Sequence, residues 1–188
     1  MDKEREKLLV ERALENPEAL QELYDYFFPK IYAYIGYRID RVEDVEDLVA
    51  ETFLKVVSNL AAFQWRGNGS FGAWLFRIAH NLVSNFYRQC KQSDNLISLE
   101  EMPKLGASAP LPEDITLQKE EAVFLKKLIR NLSERRQEII ILKFFGCLRN
   151  NEIAEILELD ERTVASHLCR GLDDLHRLYM EQLINTEG

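Results

Sequence analysis

The chain has 188 residues, a formal net charge of -8 and 46% hydrophobic residues, enough for one large folded domain or two small ones. No run of about 18 apolar residues occurs and the N-terminus is charged, so we expect no signal peptide, no membrane insertion and a cytoplasmic location. The three cysteines and three histidines lack the spacing of a disulfide framework or a metal site, and we expect no metal and no other cofactor.

The first half of the chain has its apolar residues at helical spacing. They recur every three or four residues, as at Leu20, Leu23 and Phe27, and no segment alternates as a strand does. We therefore predict a helical domain over residues 1–95.

Charge is segregated within this domain. No Asp or Glu occurs between Glu51 and Asp94, whereas the same stretch contains the basic residues Lys55, Arg66, Arg77, Arg88 and Lys91. A basic stretch in an acidic chain is typical of a surface that meets a polyanion. Taken alone, this charge distribution is explained equally well by chance segregation of charged residues on a solvent-exposed face.

The segment GSFGAWLFRIAHNLVSNFYR predicts a helix with two distinct faces. Ser70 can cap it, and its core-facing positions are Phe71, Trp74, Leu75, Ile78, Ala79, Leu82 and Phe86. The other face carries guanidinium groups for phosphates and amides for base edges, from Arg77, Asn81, Ser84, Asn85 and Arg88.

A glycine-containing loop precedes this helix, over Phe63–Gly69. Its glycines permit unusual backbone angles, and Trp65 and Arg66 can stack on or bracket an unpaired base. A place in the core explains Trp65 about equally well.

The middle of the chain differs in composition. Residues 96–116 contain three prolines and a glycine without a sustained period, which indicates a flexible linker. Helical spacing then resumes, and we predict a second, smaller helical domain over residues 117–188.

The second domain contains the pattern of a helix-turn-helix in the segment NEIAEILELDERTVASHLCR. Ala154 permits close helix approach, Leu159 anchors the turn, Asp160 caps the second helix, and Val164 packs it down. The exposed face of the second helix would consist of Arg162, Thr163, Ser166, His167 and Arg170. Two amphipathic helices with a tight turn are common in helical proteins, so this motif alone is moderately specific.

Several segments together carry a resemblance that covers nearly the whole chain. DVEDLVAETFLKVVSNLAAF, GSFGAWLFRIAHNLVSNFYR, LSERRQEIIILKFF and NNEIAEILELDERTVASHLCRGLDDL occur in this order, with the proline-containing linker in the middle. They resemble the extracytoplasmic-function (ECF) sigma factors of bacterial RNA polymerase, in the sigma-70 family. The resemblance implies an all-α fold of two small helical domains joined by a flexible linker, the C-terminal one a helix-turn-helix.

The resemblance also implies a non-enzymatic initiation factor that binds core RNA polymerase and promoter DNA. Residues 1–95 would be sigma region 2, which grips the polymerase through Asp44, Glu46, Asp47, Leu48, Glu51, Phe53 and Leu54. The same domain would recognise and melt the promoter -10 element through Gln64, Trp65, Arg66, Asn68, Arg77, His80, Asn81, Asn85 and Arg88. Residues 117–188 would be sigma region 4, which reads the -35 element through the exposed helix-turn-helix face. An anti-sigma factor is a further implied partner.

Three positions of the first domain depart from the family pattern. Ala50 stands where the family usually has glutamine, and Val57 stands where it usually has tryptophan. His80 stands where arginine is frequent, and a neutral imidazole removes a phosphate contact.

The recognition helix departs further. Positions that are commonly basic in the family are Ala165, His167, Leu172, Asp173 and Asp174. Gly171 is expected to weaken the helix by roughly 1 kcal/mol relative to alanine. Fewer cations release fewer counterions, so we predict weak binding of the -35 element, a shallow salt dependence and greater reliance on the first domain.

Other functional classes stay open. A sigma-like regulator that acts mainly through protein partners would also fit the weakly basic recognition helix. A regulator that binds duplex DNA without polymerase fits the net negative charge less well. An enzyme fits least, since no nucleophile with a base, phosphate loop or metal cluster is visible.

Overall fold

All regular structure in the part of the chain described here is helical, which confirms the expected all-α fold. The computed structural model describes residues 1–65, 69–94 and 116–186. The chain divides into unit 1, Met1–Ala107, and unit 2, Ser108–Gly188. The predicted linker lies outside the described residues except for its last position, Thr116, so the predicted domain limits stay a prediction.

Unit 1 consists of four helices and a short 3-10 turn. In chain order these are α1 (Lys3–Ala13), α2 (Pro17–Arg38), α3 (Val42–Asn59), the turn Leu60–Ala62 and α4 (Phe71–Asp94). Helix α2 begins where Asn16 accepts the backbone N–H of Glu18 at 2.8 Å and Pro17 occupies the first turn.

The core of unit 1 is centred on α2, which contacts α1, α3 and α4. Ile31, Tyr34 and Ile35 of this helix are completely buried, and they repeat at three and four residues as a core-facing stripe must. Helix α4 also contacts α3 and α1, so it is held by three neighbouring helices.

Unit 2 also consists of four helices. They are α5 (Thr116–Arg130), α6 (Glu134–Phe144), α7 (Asn150–Leu157) and α8 (Glu161–Thr186). Helix α6 contributes four consecutive buried apolar residues, Ile139–Leu142, and α8 contacts each of the other three helices.

Gly171 lies where α8 packs closely on α6. It is buried, and a Cβ atom added to it would be only 2.8 Å from Cδ1 of Ile140. The sequence alone suggested only a weakened helix at this position. The structure adds the physical reason for glycine, which is the close approach of the two helices.

Candidate functional site

Four predicted polymerase-binding residues form one polar stripe along α3. Asp44, Asp47, Glu51 and Leu54 follow one another at intervals of three or four residues, so they share a face of the helix; we call them the α3 stripe. Leu54 is 68% exposed. Asp44 lies 3.7 Å from Nε of Arg41, and Glu51 lies 3.4 Å from Nζ of Lys55. The stripe therefore presents three carboxylates along one face, with an exposed leucine at its C-terminal end.

The remaining residues predicted for polymerase binding occupy different environments. Glu46 is exposed next to the stripe. Leu48 is only 7% exposed and faces the core of unit 1, so its side chain is support for α3 and not a contact surface. Phe53 is half-buried, with its ring centroid 4.6 Å from that of Tyr24.

An apolar groove runs beside the α3 stripe, between α2 and α3. One part, of about 300 Å³, is lined by residues that include Leu20, Tyr24, Phe53 and Val57. An adjoining part, of about 390 Å³, shares Leu20 and Val57 with the first. Val57 is 52% exposed, and so the position where the family usually has tryptophan is open to solvent here.

The predicted DNA face of α4 is exposed. Arg77, Asn81, Asn85 and Arg88 recur at intervals of three or four residues and all lie on the surface; we call them the α4 stripe. Nη2 of Arg88 donates to Oδ1 of Asn85 at 3.1 Å. The stripe offers two guanidinium groups and two amides on one side of a helix whose described residues carry no acid before Asp94.

The opposite side of α4 forms part of the core, and it is wider than predicted. Phe71, Leu75, Ala79 and Leu82 are buried as expected, whereas Trp74, Ile78 and Phe86 are half-buried. Phe76 and Val83, which were not predicted, are completely buried.

His80 does not stand with the exposed α4 stripe. It is half-buried, and its Nδ1 lies 3.4 Å from the hydroxyl of Tyr34, a residue that is completely buried. The imidazole therefore leans against the core, which limits its availability as the predicted DNA contact.

Aromatic rings hold the start of the loop between α3 and α4. The Phe63 ring centroid lies 5.1 Å from that of Trp65, 5.4 Å from that of Phe71 and 4.9 Å from that of Trp74. Trp65 is half-buried and Gln64 is exposed. The predicted contacts Arg66 and Asn68 lie outside the described residues.

The N-terminus of α4 is capped by two side chains. The N–H of Ala73 donates to Oγ of Ser70 at 3.0 Å, as the sequence predicted. The N–H of Gly72 donates to Oε1 of Glu6 at 2.9 Å, and Glu6 is only 8% exposed. The contact from α1 was not predicted, because no local pattern links residues 66 positions apart.

The turn of the helix-turn-helix has the predicted cap. Asp160 accepts the backbone N–H of Thr163 at 2.8 Å and its hydroxyl at 2.6 Å. These bonds, that from the hydroxyl first, hold the pKa of the Asp160 carboxyl below its usual value. Glu158 ends α7 in the left-handed conformation, with φ of 55°, which reverses the chain direction.

The predicted DNA face of α8 divides into exposed and half-buried residues. Arg162, Ser166 and Arg170 are exposed at four-residue intervals and point to one side. Thr163 is half-buried and bonded to its cap. His167 is also half-buried, and its Nδ1 atom is buried without a hydrogen-bond partner among the described residues.

Asp174, which stands at a position that is commonly basic in the family, is paired within unit 2. Its carboxylate bonds the guanidinium of Arg136 on α6 and lies 3.2 Å from Nη2 of Arg177. Two cations neutralise this carboxylate, whereas Asp173 and Leu172 remain exposed.

Two further findings concern the described part of the chain. None of its helices has the length and apolar character needed to cross a membrane. Within the same ranges, no group of three His, Cys, Asp or Glu residues is arranged to hold a metal ion.

Comparisons with known proteins match one family region to each of the two units. Residues 23–92 match the family described as Sigma-70 region 2, and residues 125–175 match Sigma-70, region 4. The chain is 32% identical to the ECF RNA polymerase sigma factor BldN of Streptomyces coelicolor, over 94% of this chain and 67% of that protein. It is 30% identical to the RNA polymerase sigma factor YlaC of Bacillus subtilis, over 87% of this chain and 94% of that protein.

A solved structure shows a similar fold. The sigma factor RpoE of Bartonella quintana, in complex with the anti-sigma factor NepR, superposes with a TM-score of 0.63 at 22% identity. The match covers 86% of this chain and 96% of that chain.

Proposed function

Because the chain belongs to the ECF group of the sigma-70 family and is an RNA polymerase sigma factor, we propose that its two units divide promoter recognition between them. Unit 1 docks on core RNA polymerase and opens the -10 element, and unit 2 reads the -35 element. The protein acts by binding alone, without an enzymatic step, in the cytoplasm where the polymerase works.

We assign docking on core polymerase to the α3 stripe. Leu54 supplies exposed apolar surface at one end of it, and the carboxylates of Asp44, Asp47 and Glu51 continue the same face. Protein interfaces combine apolar contact area with charged residues beside it, and charge directs the encounter while buried area gives affinity. The polymerase surface that receives the stripe is therefore basic, with an apolar position at the end that meets Leu54.

We assign opening of the -10 element to the α4 stripe and to the loop that precedes α4. Arg77 and Arg88 attract phosphates, and the amides of Asn81 and Asn85 both donate and accept hydrogen bonds. Trp65, whose ring contacts that of Phe63 nearly at a right angle, offers a ring to an unpaired base. Unstacking a base costs a few kcal/mol, and such contacts offset that cost.

We assign recognition of the -35 element to Arg162, Ser166 and Arg170 of α8. Two exposed cations give few phosphate contacts, so we expect weak binding with a shallow salt dependence. The internal pairing of Asp174 reduces the repulsion of DNA by the middle of this helix. Promoter recognition consequently depends more on unit 1 than on unit 2.

Regulation by an anti-sigma factor is a further part of the proposal. The similar RpoE structure contains such a partner, and family membership supports the same kind of control here. The partner would compete with core polymerase for unit 1 or with DNA for unit 2.

One observation carries the proposal: the two sigma regions follow each other in one chain, and each presents an exposed polar stripe on its predicted DNA-reading helix. The test is transcription of genomic DNA by core bacterial RNA polymerase with and without the purified chain, followed by mapping of transcript starts. We expect new starts that share two upstream elements.

Paired variants test how the work is divided. The double variant Arg77→Ala with Arg88→Ala should abolish these starts, and Arg162→Ala with Arg170→Ala should reduce them less. Equal abolition by both variants would contradict the division. Binding to core polymerase without specific starts would instead favour a regulator that acts through protein partners, which the sparse cations of α8 make the second candidate.

A further inference from the structure

We propose that Glu6, on the first helix, is a positioning residue for promoter opening, because its carboxylate fixes the N-terminus of α4 and the adjoining flank of the loop. This inference rests on the proposed opening of the -10 element by unit 1. Glu6 precedes residues 23–92, which match sigma region 2, and it bonds the backbone of Gly72, which is not one of the predicted DNA-binding residues.

The contact itself is buried and charged. Oε1 of Glu6 accepts the N–H of Gly72 at 2.9 Å, and the glutamate is 8% exposed. The first N–H groups of a helix have no partner within the helix, and the N-terminus carries partial positive charge. A carboxylate placed there forms a charge-assisted hydrogen bond, which is stronger than one between neutral groups.

The position of Glu6 is fixed by the packing of α1. Leu9, Val10 and Ala13 of the same helix are buried, and α1 contacts both α2 and α4. Arg5 pairs with Glu22 of α2 at 2.5 Å. Because α1 is already packed on its neighbours, the helix that carries Glu6 does not lose further conformational freedom when the carboxylate bonds Gly72.

Gly72 can move little without affecting the loop. A Cβ atom added to it would lie 3.1 Å from Cε1 of Phe27, so the backbone is already close to α2. The adjacent Phe71 ring contacts Phe63, and Phe63 contacts Trp65 on the other flank of the loop. Both described flanks of the loop therefore depend on where α4 begins.

The same start of α4 sets the direction of the α4 stripe. Arg77 is five residues beyond Gly72, little more than one helical turn, so an error in the first turn is carried directly to it. A shift of about 1 Å in a positioning element is enough to lower a rate about a hundredfold in enzymes, and capture of a flipped base has similar geometric demands.

The test compares Glu6→Ala, Glu6→Gln and the control Glu4→Gln, which removes an exposed carboxylate from the same helix. Glutamine keeps an oxygen acceptor for Gly72 and removes the charge. Each full chain is assembled with core polymerase at saturating concentration, below its unfolding temperature. Opening is followed by 2-aminopurine fluorescence in the -10 element of a promoter found by transcript mapping, on duplex DNA and on DNA mismatched in that element.

We expect Glu6→Ala to slow opening of duplex DNA roughly tenfold, Glu6→Gln to slow it less, and Glu4→Gln to leave it unchanged. The defect should shrink on mismatched DNA, and affinity for core polymerase should stay within about twofold. A purely stabilising role would lower the unfolding temperature but leave saturated opening unchanged, and that result would overturn the inference.

Glu6→Gln keeps the question decidable if Glu6→Ala does not fold. Opening by this variant at the wild-type rate, on both templates, would also count against a positioning role. Failure of the unmodified chain to open any promoter would refute the proposed function itself, which is a different outcome from unchanged opening by the variants.

Discussion

The carboxylate of Asp174 on α8 bonds the guanidinium of Arg136 on α6, 38 positions earlier in the chain. Arg177 approaches the same carboxylate at 3.2 Å. An acidic side chain on the recognition helix thus joins two helices of unit 2, and its charge is balanced within the protein.

This pairing predicts different effects for two neighbouring charge reversals. Asp174→Lys removes the partner of two arginines in a partly buried site, and we expect a loss of about 1–3 kcal/mol in the free energy of unfolding. Asp173→Lys changes an exposed residue, and stability should stay within about 0.5 kcal/mol. Thermal unfolding of the full chain measures both, and equal losses would show that the pairing contributes nothing.

The variant Asp173→Lys also tests the electrostatics of DNA binding. Asp173→Lys adds a cation to α8, so the affinity for -35 duplex should rise and its logarithmic salt slope should steepen by up to about 0.9. Fluorescence anisotropy at several salt concentrations measures the slope. An unchanged slope would mean that this part of α8 lies away from the phosphates.

Two leucines of α3 distinguish a residue that contacts polymerase from a residue that stabilises the core of unit 1. Leu54 is 68% exposed and Leu48 is 7% exposed. Leu54→Ala should weaken binding to core polymerase about tenfold and leave the unfolding temperature almost unchanged. Leu48→Ala should lower the free energy of unfolding by about 2–5 kcal/mol through a core cavity. Surface plasmon resonance and thermal unfolding measure the two effects, and normal polymerase binding by Leu54→Ala would remove that residue from the interface.

Arg77 provides a test of the α4 stripe. Arg77→Ala should reduce the salt dependence of binding to single-stranded -10 DNA by about 0.7 in logarithmic slope, because one phosphate contact is lost. Arg12→Ala, an exposed arginine of α1, is the matched control and should leave the slope as it is. The measurement is holoenzyme binding to a labelled strand, and a similar change in both variants would indicate nonspecific attraction.

Gly171 and Ile140 allow a double-mutant cycle. Gly171→Ala improves helix propensity by roughly 1 kcal/mol but brings a Cβ into contact with a buried side chain, which costs about 1–3 kcal/mol. We expect a net loss of stability, and Ile140→Val should relieve it by removing Cδ1. Denaturant unfolding of the single and double variants gives the coupling energy, expected near 1 kcal/mol. Additive effects would show that the helices adjust freely.

Local patterns account for what the sequence predicted well. The Ser70 and Asp160 caps depend on residues three positions apart, and both bonds are present. The buried stripe of α4 follows from the helical period. Phe76 and Val83 escaped prediction because α4 packs between neighbouring helices, and a helix with several neighbours buries a wider arc.

Contacts between distant segments account for what sequence patterns missed. Glu6 reaches Gly72, and Arg136 reaches Asp174, across 66 and 38 positions. No periodicity or motif connects such pairs, because their meeting depends on how whole helices pack. Leu48 likewise belongs to a motif that resembles a docking helix, yet only the packed structure shows that it faces inward.

The lowered pKa of Asp160 leads us to predict that the stability of unit 2 depends on pH. Its pKa is lowered in the folded chain by bonds from the Thr163 hydroxyl and backbone, so the folded state favours the ionised carboxylate. Its contribution is complete above the ordinary carboxyl pKa of 3.8 and is lost as pH falls through the lower folded value. Asp160→Ala should therefore melt at a lower temperature than the unmodified chain at neutral pH, and the difference should shrink toward about pH 2. Asp160→Asn keeps a neutral cap, so its difference from Asp160→Ala should not change over this range. Thermal unfolding followed by circular dichroism measures all three chains, and a constant gap between the unmodified chain and Asp160→Ala down to the lowest pH would show that the charge of Asp160 does not stabilise the turn.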